Sequence, residues 1–447
     1  MKNSYFFLGM FFLSLNGIAQ IITIPDANFR ALLLSSTSSN TIARNSIGWA
    51  IAIDTNNDGQ IQLSEALNIA QINVSSNPYN TTNDIHDLSG IENFTNLKVL
   101  NCSGNQISSI NIATFTQLEE INAGYNLITS FSFSGITSLK KLNFDHNSLT
   151  TLNTDNLINL TELFVYDNDL TSISFNNNPL LQNLRIEYNS LTSLNLSVLP
   201  SLTWASCESN NLMSLNLSGL TALRSIRFES NQINSIDLSN LTALEYLTCS
   251  NNPLNAINVN GLVNLSNLDV SNTPVTTIDC SQSGVNVLFA QNCPNLQTIN
   301  VRNGVYSYSD PDLLFFAFRI ENNPQLLSIC TDNGEQNQLA FTNYNTSGSV
   351  IVYNGANCDI PVMVNMGVLD FDKSILKIYP NPTSDIVNIV ISNNEPILRT
   401  TVNNVLGQTI MAFENTTVID ISSLTKGTYF ITIETALGKE TQKIIKL

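Results

Sequence analysis

The chain has 447 residues, more than one ordinary compact domain holds, so a repeat array or several domains are expected. Apolar residues at 43% exclude global disorder, while 35 Asp and Glu against 18 Lys and Arg give a net charge of −17. That balance argues against a nucleic-acid partner and a polybasic membrane patch, and two histidines, His86 and His146, are too few for a multi-histidine metal or catalytic centre.

Residues 1–19 read as a secretory signal peptide: Lys2 is the positive end, Tyr5 to Leu15 the apolar stretch, and Ala19 the small residue at the cleavage point. The apolar run is shorter than the roughly 18–20 residues a membrane span requires. Residues 20–90 form an N-terminal cap. Within it, residues 25–36 predict a short helix with Phe29, Leu32 and Leu33 on one side. Asp54 to Glu65 then follow the calcium-loop pattern D-x-[DN]-x-[DN]-G-x5-E at every specified place. Asp54, Asn56 and Asp58 would offer side-chain oxygens, Gln60 its carbonyl, and Glu65 both carboxylate oxygens, with Gly59 at the bend. Calcium is the expected cofactor, in a structural role; the alternative is an ion-free Asp/Asn turn.

Residues 91–330 carry a strict period of 21. Asn105, Asn126, Asn147, Asn168, Asn189, Asn210, Asn231 and Asn252 keep it without a slip; Thr273 takes the next place and Cys293 falls one short of the one after. Leucine keeps step from Leu97 to Leu265, followed by a second apolar residue three places on and a third two further, as in Leu160, Leu163 and Val165. Apolar–x–apolar alternation makes a short strand with one buried face, and a single coil cannot bury that face alone, so coils must stack into a parallel ladder. The pattern L-x-x-L-x-(C/V/F)-x-x-N-x-L-x-x-L-x-L resembles the leucine-rich repeat family in a short bacterial form. A unit of 21 residues leaves little room for a helix on the return path, so a strand-rich solenoid with extended or tight-turn convex structure is expected.

Cys102, Cys207 and Cys249 share one repeat position and should be buried, reduced thiols. Cys280 fills an apolar slot and Cys293 an Asn place, which leaves Cys330 and Cys358, beyond the last clear coil, for one disulfide, the alternative being two more buried thiols; residues 331–360 are expected to form a C-terminal cap. Residues 361–374 read as a linker. Residues 375–447 alternate in seven short strands with turn signals, predicting a small Ig-like β-sandwich. Its landmarks are Tyr379-Pro380-Asn381-Pro382, Leu406-Gly407-Gln408, Lys426-Gly427-Thr428-Tyr429 and the closing Lys443-Ile444-Ile445-Lys446-Leu447. Together they resemble the C-terminal sorting domain of type IX secretion cargo in Bacteroidota. The resemblance implies export to the cell surface or the medium, the type IX secretion machinery as partner, and removal of the tail on release or on attachment to surface lipopolysaccharide.

The sequence contains no nucleophile elbow, zinc-protease motif, phosphate loop or C-x-x-C, so no enzyme is expected. Asp145 and His146 read as a polar surface pair. The residues flanking the apolar positions of each strand should face outward on the concave sheet. In the central coils these are Phe164, Tyr166, Arg185, Tyr188, Trp204, Arg227 and Tyr246, beside an acidic column of Glu187, Glu208 and Glu229, whereas peripheral coils show mainly Asn, Ser and Gly. Aromatics and Arg dominate binding hot spots, so an adhesion or recognition face for a protein or glycan ligand is expected there. The alternatives are a structural spacer without a ligand and, more remotely, a polysaccharide-active enzyme.

Overall fold

The computed structural model describes residues 20–447 apart from 81, 83, 113, 134–135, 306–317, 334–349, 355–360, 363–375, 392–395 and 436–437. The expected signal peptide and Cys358 lie outside the described residues, as do parts of the expected C-terminal cap and linker. Two compact units divide the chain, residues 1–366 and 367–447.

The first unit is a leucine-rich repeat solenoid. Its principal sheet has 13 strands, most of them three residues long, each presenting its middle side chain to the core. Parallel partners are 21 residues apart from Leu100 and Ile121 through Leu247 and Leu268. The step then becomes 20, to Leu288, and 30, to Phe318. Strand Ala43–Arg44 pairs antiparallel with Gln71–Asn73 at the N-terminal edge. The convex side carries only short strands, such as Leu194–Asn195 beside Leu215–Asn216, and the described helices are Ala27–Leu34, Leu63–Ala66 and a single 3-10 turn at Ile91–Asn93. On that side Asn216, Asp237 and Asp279 each accept a backbone N–H two residues on (Ser218, Ser239 and Ser281), forming the turns expected of them.

The repeated Asn is the joint between coils. Asn210 Oδ1 accepts the Leu191 N–H of the preceding coil at 3.0 Å. Its Nδ2 donates to Ile186 O in that coil at 3.1 Å and to Cys207 O in its own at 3.2 Å. The same three links recur at Asn126, Asn168, Asn189, Asn231 and Asn252. Where Asn gives way, Thr273 Oγ1 donates to Val270 O of its own coil and reaches the next coil through the Cys293 sulfur at 3.9 Å. Asn323 resumes the pattern after the 30-residue step, accepting from Cys293 N and donating to Ala290 O.

The residue before each Asn adopts a left-handed conformation, from Gly104 at φ +71° through Tyr125, His146, Asp167 and Tyr188 to Asn322 at φ +60°. At Gly104 a Cβ would stand 2.1 Å from Ser76 O, so no side chain fits. Capping the N-terminal end, Asp26 Oδ1 accepts Phe29 N–H at the start of the first helix, and its Oδ2 accepts His86 and Asp87 N–H from the entry to the repeats. Cys102, Cys207, Cys249, Cys280 and Cys293 are free and buried, and burial pushes the Cys102 and Cys280 thiols up to about 12. Cys330 is disulfide-bonded.

The second unit pairs a three-stranded sheet (Leu376–Tyr379, Ile386–Ile391, Val418–Asp420) with a four-stranded one (Thr409–Glu414, Ile397–Asn403, Gly427–Thr435, Gly438–Lys446). Both are antiparallel and share a core that includes Val387, Ile389, Val402, Ile431 and Ile444. Asn381 ties the Tyr379–Pro382 turn to the last strand, donating to Lys443 O at 2.8 Å and accepting Ile445 N–H at 2.9 Å. The Tyr429 hydroxyl donates back to Thr425 O, and Gly407 supplies the positive φ of the turn closed by Asn404 and Gln408.

Replacing Asn210 by Ala strands the Leu191 N–H and two carbonyls, so Asn210→Ala should lower the unfolding free energy of the solenoid by about 2–3 kcal/mol. The exposed neighbour Asn211→Ala should cost under about 0.5 kcal/mol. Urea midpoints of the two variants check this.

Candidate binding face on the concave sheet

The candidate face spans the five strands Glu162–Phe164, Asn183–Arg185, Trp204–Ser206, Ser225–Arg227 and Tyr246–Thr248. Parallel register stacks equal repeat positions about 4.8 Å apart, so residues distant in sequence become columns. Trp204 and Tyr246 share one column with Ser225 between them, and Phe164, Arg185, Ser206 and Arg227 share the next. Tyr188 and Tyr246 stand about half exposed, at 54% and 49%. Phe164, Tyr166 and Trp204 are half-buried.

Arg185 and Arg227 organise the acidic column. The Arg185 guanidinium lies 3.9 Å over the Tyr166 ring and bonds Glu187 Oε1 through Nε at 2.7 Å and through Nη2. Glu187 differs from the outward acid expected of it: it is 2% exposed, and its Oε2 has no hydrogen-bond partner. Arg227 Nη2 sits 2.7 Å from Glu208 Oε2 and 2.8 Å from Glu229 Oε1. The Glu208 contact is ionic only, because it falls off the N–H direction and leaves that oxygen without a hydrogen bond. Thr248 Oγ1 donates to Glu229 Oε2 at 2.8 Å.

The two carboxyls respond in opposite senses. Burial, the hydrogen bond to Glu229 and its charge push Glu208 up to about 7, against the pull of Arg227. Burial also raises Glu229, but donation from Glu208, Arg227 and Thr248 outweighs it and holds Glu229 below the usual carboxylate range.

Toward the N-terminal side a second cluster joins this one, and reading Asp145 and His146 as a simple surface pair missed it. His146 Nδ1 is 2.8 Å from the buried Asp145 carboxylate and Nε2 is 3.1 Å from Asp167. The imidazole stacks on Tyr125 with ring centroids 3.8 Å apart and meets the Tyr166 ring edge-on at 5.2 Å. Gly124 makes room, since a Cβ there would lie 2.3 Å from Asp145 Oδ1. Burial, with the Asp145 charge next, pushes the Tyr166 phenol up to about 12. The signal for this cluster was the period itself: Tyr125 and His146 occupy one repeat position.

That position is also the left-handed one. Gly104, Asn272, Asn292 and Asn322 fill it in outer coils, and Ser209, Ser230 and Asn251 fill it on coils of the face. Tyr125, His146, Asp167 and Tyr188 fill it in the consecutive coils before these, and of them the two tyrosines are the bulky residues held at positive φ, at about 1–3 kcal/mol each.

The Asp54–Glu65 loop lies in the N-terminal cap. Asp54 accepts Asp58 and Gly59 N–H, Asn56 Oδ1 accepts Asp58 N–H, and Glu65 accepts Thr55 N–H, Thr55 Oγ1 and Gln62 N–H. Asp58 Oδ1 accepts the Gln60 N–H, and Asp58 Oδ2 takes donors from Asn56 and Gln62. The donor set is oxygen only, which suits a hard cation. Among the described residues, no three His, Cys, Asp or Glu side chains gather closely enough to hold a metal ion.

Comparisons with known proteins separate the two units. Residues 377–447 match the family model of the secretion system C-terminal sorting domain, the tail of type IX secretion cargo. The tail marks the chain for export to a cell-surface or secreted location. The chain is similar in structure to the functional domain of InlJ from Listeria monocytogenes, described as including a cysteine ladder: TM-score 0.55, 19% identity, covering 96% of this chain and 98% of that one. An internalin, InlF, from the same organism aligns with TM-score 0.45 and 21% identity over 71% of this chain and 93% of that one. A leucine-rich repeat protein of Leptospira interrogans aligns with TM-score 0.40 and 19% identity over 62% and 82%. At these identities the InlJ likeness shows the fold alone. No curated protein sequence matches the chain. Among the described residues no helix is long and apolar enough to cross a membrane.

A carboxyl whose folded pKa is raised keeps a proton that the unfolded chain releases, so Glu208 lowers stability as pH rises from about 4.5 to about 7. Glu208→Gln mimics the protonated form. Its melting temperature should match the parent near pH 4 and exceed it by a constant margin above pH about 7. A margin independent of pH in thermal scans would contradict the upward shift of Glu208.

Proposed function

We propose that this is an exported binding protein whose ligand lies across the concave face between Tyr166 and Tyr246. The carrying observation is the grouping of Tyr166, Tyr188, Trp204 and Tyr246 beside a buried acidic column on the central coils, while outer coils show mainly Asn, Ser and Gly at the same places. An unpaired buried carboxylate oxygen at Glu187 weakens the fold by about 1–3 kcal/mol and fits a surface kept for recognition. The reading contains no catalytic step. After export the tail is proposed to be removed, with the solenoid either released or joined to surface lipopolysaccharide.

The combined substitution Tyr188→Ala and Trp204→Ala should abolish adhesion to cells or surfaces that the parent binds, with a melting temperature within a few degrees of the parent. Unchanged adhesion in every assay would identify the solenoid as a spacer. Deleting residues 377–447 should leave the solenoid inside the cell envelope, read by fractionation and immunoblotting.

The Asp54–Glu65 loop is proposed to take calcium as a structural ion, with Asp54, Asn56, Asp58, Gln60 and Glu65 as its oxygen donors. Millimolar calcium should then raise the unfolding temperature of the cap and EGTA should reverse it. A melting temperature indifferent to both would leave the loop as a hydrogen-bonded turn.

A further inference from the structure

From Lys98 to Arg227 the chain has six basic side chains, and each is paired with a carboxylate of its own or an adjacent coil. Lys98 and Lys140 hold Glu119, Lys141 holds Glu162 at 3.5 Å, and Arg224 holds Glu245 at 2.6 Å. Arg185 and Arg227 are taken by the buried acidic column. The pairing has a consequence for what the face can bind. An anionic ligand finds no Lys or Arg without a carboxylate partner along these strands.

What the face offers to a ligand is uncharged. Tyr188 and Tyr246 present half-exposed rings, and Trp204 lies on the first of the two coils between them. Hydroxyls and amides surround them, among them Ser230, Asn251 and Asn267. Flat rings that stack on an apolar sugar face, set among fixed hydrogen-bonding groups, match a polyhydroxylated chain. The rings spread over four adjacent strands, roughly 14 Å at about 4.8 Å per strand, which is the reach of an oligomer and not of one small molecule.

We propose that the ligand of the concave face is a neutral polysaccharide, lying across the strands from Tyr188 to Tyr246. This rests on the concave face being the binding site. Because the Lys and Arg side chains are already paired within the protein and a neutral ligand brings no charge of its own, binding is nearly independent of ionic strength, unlike recognition of a charged partner.

The test uses the full mature chain in affinity electrophoresis through gels containing dextran, laminarin, galactomannan or hydroxyethylcellulose, with alginate and heparin as charged comparators. Retention by at least one neutral polymer, changing less than about twofold between about 0.05 and 0.5 M NaCl, is expected. The variant Tyr188→Ala with Tyr246→Ala should lose at least about tenfold in affinity, while Trp49→Ala, an exposed aromatic in the cap, should not. Retention only by alginate or heparin, with steep salt dependence, overturns the inference, as does retention by none of the polymers. Binding of a defined, purified protein that the double variant abolishes, without polysaccharide retention, overturns the polysaccharide and leaves the concave face as the site. Neutral retention that survives the double variant overturns the placement itself.

Discussion

One side chain carries the architecture. A coil of 21 residues has too few backbone hydrogen bonds to fix its own turn, because each strand is only three residues long. The recurrent Asn supplies the missing ones by accepting from the preceding coil and donating both to it and to its own. Burying an amide is costly unless its donors and acceptors are met, and here they are met only when the preceding coil stands in register. The Asn therefore stabilises the stack and also specifies the spacing of its columns.

That spacing produces the candidate face. Columns bring Arg185, Glu187, Glu208 and Arg227 together though they are scattered along the sequence, and the left-handed residue before each Asn aims its side chain at the rim of the sheet. A position forced into positive φ by the joint is the one at which Tyr125, His146 and Tyr188 are displayed. The structural device and the display are thus one feature of the repeat.

Much of this was legible in the sequence for a physical reason: burial acts on residue type at a fixed period. The run of Asn places, the core leucines, the placement of Cys102, Cys207 and Cys249, and the absence of helix from the described return path all follow from a 21-residue lap. In the tail, alternation predicts seven short strands, and the described residues carry seven, the last two, Gly427–Thr435 and Gly438–Lys446, running past the apolar stretch into charged residues. The details of the face were not legible. Whether Glu187 points to solvent or folds beneath Arg185 depends on rotamers set by neighbours two coils wide, and so does the bridging of Asp145 and Asp167 by His146. A lone element also gives no periodic signal: Asn178, buried on the convex side and donating to Thr154 O and Leu157 O, performs there a version of the Asn joint that occurs without repetition.

Amide hydrogen exchange measures the joint without altering it. The N–H groups of Ile107, Leu149, Leu170, Leu191, Leu212 and Ile233 lie outside the concave strands, yet each is held by an Asn side chain of the following coil. If those side chains carry the stack, these six amides exchange as slowly as the mid-strand amides beside them, in the regime of global unfolding. Exchange at the rate of exposed turns, while the strands stay protected, would show that the coils hold together without the asparagines.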